Sequence, residues 1–480
     1  MLFTFLPILS LTAFILIIII IEAIVKNKDI VYQSTMVALI CVGVSIVLSF
    51  GKNIDFLPPF ISNMLSFDKI TAFFDMLFII SALLTVYLTK SYLERLYAHL
   101  TEFYPLLLTS ILGMMLIGHS KNLLVLFIGI EIMSICFYAL SGFIRTDIKA
   151  IEASMKYFII GSFATGFLLF GISFIYGATG SLDYQEVFQA IMYNQLSNDL
   201  YLLIGISLLI IGLGFKLAVF PFHQWAPDVY TGAPTIVSGF MSTAGKAAGF
   251  IALISFVSRI LMNLEFVNSS IYGNLVNFQY IIAGISALTM LIGNITALVQ
   301  KNIKRMLAYS SIAHAGYMLM GIVAGNYAGI KGIAFYLLAY TFMQIGAFIA
   351  VASLESDSST EVSLAHFKGL AKKQPLLSAL TAVMMFSLVG LPPFAGFIGK
   401  YLLFKSAIEG GFLWLTIVAI IASMISIYYY IRIIIEMYFS QEESTITVVH
   451  LKYNKVVMII CAAALIALGV FPNFILNLIN

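Results

Sequence analysis

Long apolar runs separated by short polar segments make up most of the chain. Runs of about 20 apolar residues are long enough to cross a bilayer as helices. Such runs lie near residues 5–25, 31–50, 70–89, 104–118, 122–142, 151–177, 200–226, 234–259, 277–298, 304–324, 331–353, 376–406, 412–438 and 456–477. The pattern predicts an all-α membrane protein with about 14 transmembrane helices, because helices satisfy every backbone polar group inside lipid.

Composition supports a chain that crosses the membrane many times. Of its 480 residues, 61% are hydrophobic and 10% are charged, whereas soluble domains average about 25% charged residues. No Lys or Arg precedes Lys26, which favours a retained first helix over a cleavable signal peptide. The three cysteines, Cys41, Cys136 and Cys461, are far apart inside apolar runs, and their spacing predicts neither a redox centre nor a disulfide.

The basic residues between the runs indicate an orientation. When loops are assigned alternately to two sides, fifteen Lys and Arg fall on one side. Six fall on the other, namely Lys52, Lys69, Lys121, Arg259, Lys331 and Lys405. The positive-inside rule makes the richer side cytoplasmic. With an even number of spans, both termini are then expected on the non-cytoplasmic side of a bacterial inner membrane.

Two of the apolar runs contain proline close to a lysine. Lys216 precedes Pro221 in one run, and Lys400 follows Pro392-Pro393 in the other, 184 residues later. Proline removes a backbone donor and breaks a helix, so both spans are predicted to be discontinuous. For the first of them, a simple proline kink with a lysine reaching to the interface is the alternative.

Further pairs of residues recur at almost the same offset. Glu131 precedes His314 by 183 residues, and Lys149 precedes Lys331 by 182. About five spans separate equivalent points, so the two units would cross the membrane in opposite directions, as in transporters with inverted repeats. The predicted organisation is helices 1–3 in residues 1–103, one repeat of helices 4–8 in 104–260, a second of helices 9–13 in 270–440, and helix 14 in 441–480, with helices 7 and 12 discontinuous.

Four lysines, Lys156, Lys216, Lys246 and Lys400, fall inside predicted spans. A lysine at the centre of a spanning helix costs about 2.5 to 3.5 kcal/mol, so each needs a compensating environment. Burial disfavours the charged ammonium and a nearby carboxylate favours it, so a changing partner can drive proton uptake and release. Glu131 is the carboxylate deep within an early span, and it is predicted to pair with Lys216.

The remaining lysines have different surroundings. Small residues flank Lys246 on both sides, which suits a central relay, the alternative being a core lysine bonded to carbonyls. Lys400 is a candidate second-site or exit group. Lys156 follows Glu152 by four residues, so an ordinary helical ion pair remains open beside a role in a relay.

Two of the six histidines, His223 and His314, lie at membrane depth, where imidazole can connect protonatable groups. A structural histidine bonded to a carbonyl is the alternative for each. His99, His119, His366 and His450 lie in predicted loops or at helix ends and receive no role. Asp75, near the start of the third span, is expected at the membrane interface.

Three motifs resemble one known family. FKLAVFPFHQWAPDVYTGAP at 215–234, STAGKAAGF at 242–250 and LPPFAGFIGK at 391–400 are similar to subunit N of NADH-quinone oxidoreductase, or respiratory complex I. This is an antiporter-like membrane subunit related to mitochondrial subunit 2, and the resemblance covers nearly the whole chain. Lys400 favours subunit N over the sister subunit M, which carries Glu at that site.

The resemblance implies a proton path and its participants. Glu131 and Lys216 match the family's pair in helices 5 and 7, Lys246 the central lysine and Lys400 the lysine of helix 12. Lys156, His223 and His314 match further positions of the polar axis. The implied partners are the neighbouring subunits M and K, the lateral helix of subunit L, and the lipid bilayer. NADH, FMN, iron-sulfur clusters and quinone would belong to other subunits, so no cofactor is expected in this chain.

The implied function is proton translocation driven by electron transfer elsewhere in the complex. Separation of Glu131 from Lys216 would send a proton towards Lys246 and Lys400. Two alternatives remain open. One is a subunit of a multi-subunit cation/proton antiporter, against which the segment from Asp228 to Pro234 argues. The other is a spacer that keeps the fold without pumping.

Overall fold

The computed structural model describes residues 5–25, 27–50, 64–95, 101–193, 196–261, 270–355, 361–442 and 454–479. Its first half contains the helices α1 (Leu6–Val25), α2 (Lys28–Ser49), α3 (Lys69–Arg95), α4 (Phe103–His119), α5 (Leu123–Ser141), α6 (Ile148–Thr179), α7 (Tyr184–Met192), α8 (Asp199–Leu217), α9 (Trp225–Gly232), α10 (Thr235–Phe240) and α11 (Lys246–Phe256). A π-helical turn, Met241–Gly245, joins α10 to α11, and a second, Val257–Leu261, follows α11.

The second half contains α12 (Ser270–Leu298), α13 (Ile303–Val323), α14 (Tyr327–Ala352), α15 (Leu370–Lys373), α16 (Pro375–Val389), α17 (Ala395–Glu409), α18 (Leu413–Phe439), α19 (Asn454–Val470) and α20 (Pro472–Ile479). Two of the three predicted boundaries between units fall at or near residues 262–269 and 443–453, which lie outside the described residues. The third, between residues 103 and 104, falls at the start of α4.

The predicted all-helical membrane class is confirmed. Among the described residues, 11 helices are long and apolar enough to cross a membrane, or up to 12 if the bent pair α19–α20 is one span. The helices α4 and α16 are apolar but shorter. The continuous helix from α10 through α11 and the helix α14 are buried along their apolar lengths. They form the interior around which the other helices pack.

The two predicted helix breaks are present. The helix α8 ends at Leu217, and Ala218 takes a left-handed conformation with φ 55° before α9 begins at Trp225. The helix α16 ends at Val389, and Gly390 takes φ 89° before α17 begins. Glycine adopts this conformation without strain from a Cβ. Each break includes a cis peptide bond, Phe220–Pro221 in one and Pro392–Pro393 in the other.

Side chains from other elements form hydrogen bonds with the backbone groups that the first break leaves open. A helix end leaves backbone groups without partners, and the indole Nε1 of Trp225 donates to the carbonyl of Phe215 at 3.0 Å. The Trp225 ring stacks on Tyr157 of α6, with centroids 4.5 Å apart and planes 9° apart. The amide of Phe220 donates to Thr289 Oγ1 of α12 at 3.0 Å. The break is therefore tied to both halves of the chain.

Two helical features differ from the sequence analysis. The last predicted run, 456–477, was expected to form one span, but α19 and α20 meet at 81°. The reason is Pro472, which lacks the N–H that would continue the helix. The segment between the sixth and seventh predicted spans also contains the amphipathic helix α7, whose first turn is capped by the Asp183 side chain.

Candidate functional site

The first predicted pair lies where α5 faces the end of α8. The side chain of Lys216 is 6% exposed, and its Nζ donates to Ser134 Oγ at 2.7 Å. Glu131 is close enough for its charge to act on Lys216, but its Oε1 is buried without a hydrogen-bond partner. The direct ion pair expected from the sequence is therefore replaced by a bond to Ser134, one turn further along α5.

Lys246 begins α11 at the centre of the bundle. Its side chain is 1% exposed, and its Nζ donates to the backbone carbonyl of Ser311 on α13. The π-helical turn Met241–Gly245 directly precedes it, and such turns occur often at functional sites because they re-aim a side chain within a helix. Lys246 thus points into the second half of the chain.

His314 lies among tyrosine hydroxyls. Its Nδ1 is 2.6 Å from the hydroxyl of Tyr336, and its Nε2 is 3.1 Å from the hydroxyl of Tyr430. Tyr430 donates onward to Ser310 Oγ at 2.8 Å, beside the residue whose carbonyl binds Lys246. The charges of Lys246 and Lys400 both act on the His314 ring. The alternative of a histidine bonded to a carbonyl does not describe this site.

Lys400 follows the second helix break. Its side chain is 4% exposed, and its Nζ donates to the Val389 carbonyl at 2.8 Å and to Ser423 Oγ at 2.9 Å. The ammonium also lies 4.9 Å from the centroid of the Tyr317 ring, within the range of a cation–π interaction. The carbonyl left open by the broken helix therefore holds the lysine.

The ring of Tyr317 lies between His314 and Lys400. Its centroid is 5.8 Å from that of His314, and the Lys400 ammonium lies 4.9 Å from it. Asn294 Nδ2 donates to the Tyr317 hydroxyl at 3.1 Å, and the Tyr429 hydroxyl donates to Asn294 Oδ1 at 2.8 Å. Sequence analysis missed these tyrosines. The recurrence of tyrosine at 336 and 340, on one helical face in an apolar run, was the available signal.

Between Lys216 and Lys246 the described side chains pack through apolar contacts. A Cβ on Gly249 would lie 2.7 Å from Leu217 Cδ2, and one on Gly245 would lie 2.7 Å from Phe137 Cε2. The small residues around Lys246 thus receive large apolar groups from α5 and α8. The two lysines lie in separate polar pockets.

His223 occupies the loop of the first break. It is partly buried, its Nδ1 has no hydrogen-bond partner, and its ring lies 5.9 Å from that of Phe220. No described contact joins it to Lys216 or Lys246. The structure therefore places His223 beside the break and outside the tyrosine network.

Lys156 belongs to a charged cluster at the surface. Its side chain is 42% exposed and pairs with Glu152 at 2.8 Å, as the spacing predicts, and also with Asp228 at 3.1 Å. Asp228 pairs in turn with Arg305 at 2.8 Å. These residues line a cleft of about 220 Å³. The cluster joins α6, α9 and α13 at one end of the bundle.

On the proton-translocating function that the resemblance implies, we expect Lys156→Gln to lower proton transport by less than about threefold, since exposed ion pairs contribute only about 0 to 1 kcal/mol. Lys149→Gln is the matched control, because Lys149 lies on the same helix, is 51% exposed and pairs with Glu361. Proton uptake by vesicles measures the effect. A loss as large as that caused by replacing the buried Lys216 or Lys246 would instead make Lys156 part of the relay.

Two buried ionic groups were not found from the sequence. Asp75, expected at the interface, is 2% exposed and pairs with His119, which is 3% exposed, at 2.8 Å. The carboxylate is covered because α4 ends against α3, and its depth in the membrane stays a prediction. Lys304, assigned to a loop, is 7% exposed and lies 3.6 Å from Glu355. In each case the partners come from different spans, so no local spacing reveals them.

The part of the chain that the structure describes contains no group of three or more His, Cys, Asp or Glu placed to hold a metal ion. Its ionisable interior consists of lysines, single carboxylates, histidines and hydroxyls. These groups accept and donate protons, and the tyrosine network places several of them within hydrogen-bonding distance of one another.

Comparisons with known proteins relate this chain to one family of membrane subunits. Residues 120–426 match the family described as NADH:quinone oxidoreductase/Mrp antiporter, TM. NADH-quinone oxidoreductase subunit N of Trichlorobacter lovleyi is 38% identical over 453 residues, covering 94% of this chain and 90% of that protein. Subunit N 1 of Chloroherpeton thalassium is 41% identical over 433 residues, covering 90% of this chain and 88% of that protein.

Solved structures show the same fold. A chain of respiratory complex I from Thermus thermophilus with bound aureothin aligns with a TM-score of 0.81 and 33% identity, covering 98% of both chains. A chain of the Mrp complex from Dietzia sp. aligns with a TM-score of 0.85 and 20% identity, covering 100% of this chain and 96% of that one. The second likeness concerns the fold alone.

Proposed function

The chain belongs to the NADH:quinone oxidoreductase/Mrp antiporter family of membrane subunits, and from this premise we propose that its buried lysines carry protons in sequence. It is a proton-translocating, antiporter-like subunit of NADH-quinone oxidoreductase, a proton-pumping complex, and its relatives at 38% and 41% identity are subunit N. The proposal concerns the path, namely Glu131, Lys216, Lys246, His314 and Lys400, with His223 and Lys156 at its margins.

The observation that carries the proposal is the hydrogen-bonded cluster around His314, which Lys246 approaches at the Ser311 carbonyl and Lys400 at the Tyr317 ring. Lys246 binds the Ser311 carbonyl, and the adjacent Ser310 hydroxyl accepts from Tyr430, which contacts His314. Hydroxyls and a neutral imidazole both donate and accept hydrogen bonds. We propose that a proton passes along the bonds from Tyr336 through His314 and Tyr430 to Ser310. The steps to Lys246 and Lys400, which no described hydrogen bond joins to these side chains, would require side-chain movement.

In the first half, we propose that charge drives the transfer. A carboxylate stabilises a nearby ammonium, so movement of Glu131 towards Lys216 favours proton uptake and movement away favours release. The contact of Leu217 with Gly249 closes the direct line to Lys246. Transfer along this half accordingly requires the end of α8 to shift, and the break after Leu217 supplies a place for that movement.

We further propose two inverted repeats within fourteen spans. The amide of Leu123 donates to the Leu182 carbonyl at 2.9 Å, and the amide of Ile303 donates to the Val362 carbonyl at 2.9 Å. Both residues of the second bond lie 180 positions after those of the first. This recurrence, together with the two broken helices, supports the repeats. The fifteen-to-six distribution of basic residues supports termini on the non-cytoplasmic side.

The remaining assignments rest on the family resemblance. The chain is a multi-span membrane protein of a respiratory complex and has membrane-arm partners. We propose that these partners are subunits M and K and the lateral helix of subunit L, in a bacterial inner membrane. We also place NADH, FMN, the iron-sulfur clusters and quinone in other subunits, so that redox energy reaches this chain as a rearrangement of charge.

Lys216→Ala tests the proposal against a spacer role. We expect NADH-driven proton transport in vesicles, normalised to assembled complex, to fall at least about fivefold, because a positioned proton-transfer group contributes roughly 10²–10⁴-fold. Lys331→Ala is the control, since it removes a partly exposed lysine near the start of α14. Undiminished pumping and turnover in assembled Lys216→Ala complex would favour the spacer.

Co-purification separates the chain's complex from a cation/proton antiporter. We expect a flavin and iron-sulfur assembly with NADH dehydrogenase activity to accompany the chain. Isolation of the chain with small membrane subunits alone would instead support the antiporter. The identity to subunit N favours the first outcome, since the likeness to the Mrp chain, at 20%, extends only to the fold.

A further inference from the structure

The Asp75–His119 pair lies apart from the path described above and close to a surface cleft. The cleft has a volume of about 990 Å³, and its charged lining residues include Asp68, Lys121, Glu186 and Arg259. Ser66 also lines it, and the Ser66 carbonyl is 2.5 Å from His119 Nδ1. The buried pair is therefore one residue away from an open polar space.

The hydrogen bonds fix how many protons the pair can hold. A carbonyl oxygen only accepts, so His119 Nδ1 carries a proton that it donates to Ser66. His119 Nε2 lies 2.8 Å from Asp75 Oδ2, and one further proton occupies that bond, on the imidazole or on the carboxyl. Asp75 Oδ1 is buried and has no hydrogen-bond partner. The pair thus has one exchangeable proton and one acceptor atom free to receive another.

Charged groups of both signs surround the mouth of the cleft beside the pair. Arg259 Nη2 donates to Ser66 Oγ at 2.6 Å, and Arg259 Nη1 donates to the Ser120 carbonyl at 3.1 Å. Asp68 lies 3.8 Å from Arg259, and the Phe67 ring covers the imidazole at 4.6 Å. A fixed guanidinium beside the mouth repels an extra proton, because arginine stays charged.

The pair is also near the central lysine. Gly118, the neighbour of His119, packs against Ile251 of α11, five residues after Lys246. At 1.5 Å of rise per residue, this contact is roughly 7.5 Å from Lys246 along the helix axis. Arg259 continues the same helical segment to the cleft. Basic residue counts assign this end of the bundle to the non-cytoplasmic side.

We propose that Asp75 and His119 form a proton-exchange site between the interior around Lys246 and this cleft. The inference rests on the proposed function. In the transfer, the proton shared by His119 Nε2 and Asp75 Oδ2 leaves for water in the cleft, and a proton from the interior replaces it. Only bonds to hydrogen break and form in this step.

Asp75→Asn tests the site because asparagine keeps the size of the side chain but carries no exchangeable acid proton. We expect NADH-driven proton transport per assembled complex to fall at least about fivefold, within the range of one proton-transfer group. Reduction of ferricyanide by NADH should stay unchanged, since it bypasses the membrane arm. Ser81→Ala is the matched control, because Ser81 is buried on α3 and bonds only the Leu77 carbonyl within that helix.

His119→Gln repeats the test from the other partner, with the same expected loss. Full pumping in assembled Asp75→Asn complex would overturn the site, and loss of assembly in both variants would identify a structural brace and overturn it as well. Lys216→Ala separates this failure from that of the proposed function. If Lys216→Ala loses pumping and Asp75→Asn does not, only the exchange site is wrong.

Discussion

Replacing Lys246 by methionine is expected to abolish most NADH-driven proton transport while the complex still assembles. Lys246 is 1% exposed and links the two halves through Ser311. Replacing a buried charge by an apolar side chain of similar length is often neutral for stability or stabilising. Loss of a positioned proton-transfer group costs roughly 10²–10⁴-fold, so we expect at least about a tenfold fall in the rate of vesicle acidification.

Lys246→Arg separates proton transfer from a need for positive charge. Arginine keeps the charge but does not release its proton in proteins, so we expect this variant to lose pumping as Lys246→Met does. Quinone-dependent NADH oxidation and the amount of assembled complex are measured in parallel. Retained pumping in Lys246→Arg would mean that the site requires charge alone and that the proton takes another route.

The sequence predicts the spans and their breaks because both depend on local pattern. Apolar length identifies a spanning helix, and proline near Lys216 and Lys400 identifies where the backbone must depart from helical geometry. The bend before Pro472 follows from the same principle and was missed because the apolar run continues on both sides of the proline, to residue 477. The local sequence therefore predicted the two breaks near Lys216 and Lys400 but not the turn between α19 and α20.

The site was predictable as a set of residues but not as a set of contacts. A lysine inside an apolar run is conspicuous, which is why Lys216, Lys246 and Lys400 could be named. Its partner depends on how distant helices pack, so Ser134, rather than Glu131, receives the Lys216 ammonium. Neutral hydroxyls such as that of Tyr430 carry no signal of charge in the sequence. Their role becomes visible only when the helices bring them to His314.

The same distinction explains why the burial of Asp75 was not predicted. Its position near the start of α3 suggested contact with the interface, since polar residues at helix ends usually reach water or headgroups. The end of α4 instead brings His119 over it, 44 residues away in the chain. A buried ionic pair of this kind depends on tertiary packing, which the order of residues along either helix does not contain.

Replacement of Lys400 by glutamate is expected to stop pumping, even though the family resemblance associates glutamate with this site in subunit M. The Lys400 ammonium faces the Val389 carbonyl at 2.8 Å and the Tyr317 ring at 4.9 Å. Both of these neighbours present negative partial charge, and the Ser423 hydroxyl, 2.9 Å from the Lys400 Nζ, can donate as well as accept. A carboxylate in the same place would be repelled by the Val389 carbonyl and by the Tyr317 ring. The new side chain is therefore expected to stay neutral and to donate a hydrogen bond to the Val389 carbonyl.

We therefore expect Lys400→Glu to lower NADH-driven proton transport by about tenfold or more, the scale of a lost proton-transfer group, with assembly retained. Lys405→Glu is the matched control, because Lys405 lies on the same helix with 56% of its side chain exposed. Pumping by Lys400→Glu at the unchanged rate would show that the pocket accepts either sign of charge. The specific contacts to Val389 and Tyr317 would then not determine which residue can serve at this point of the path.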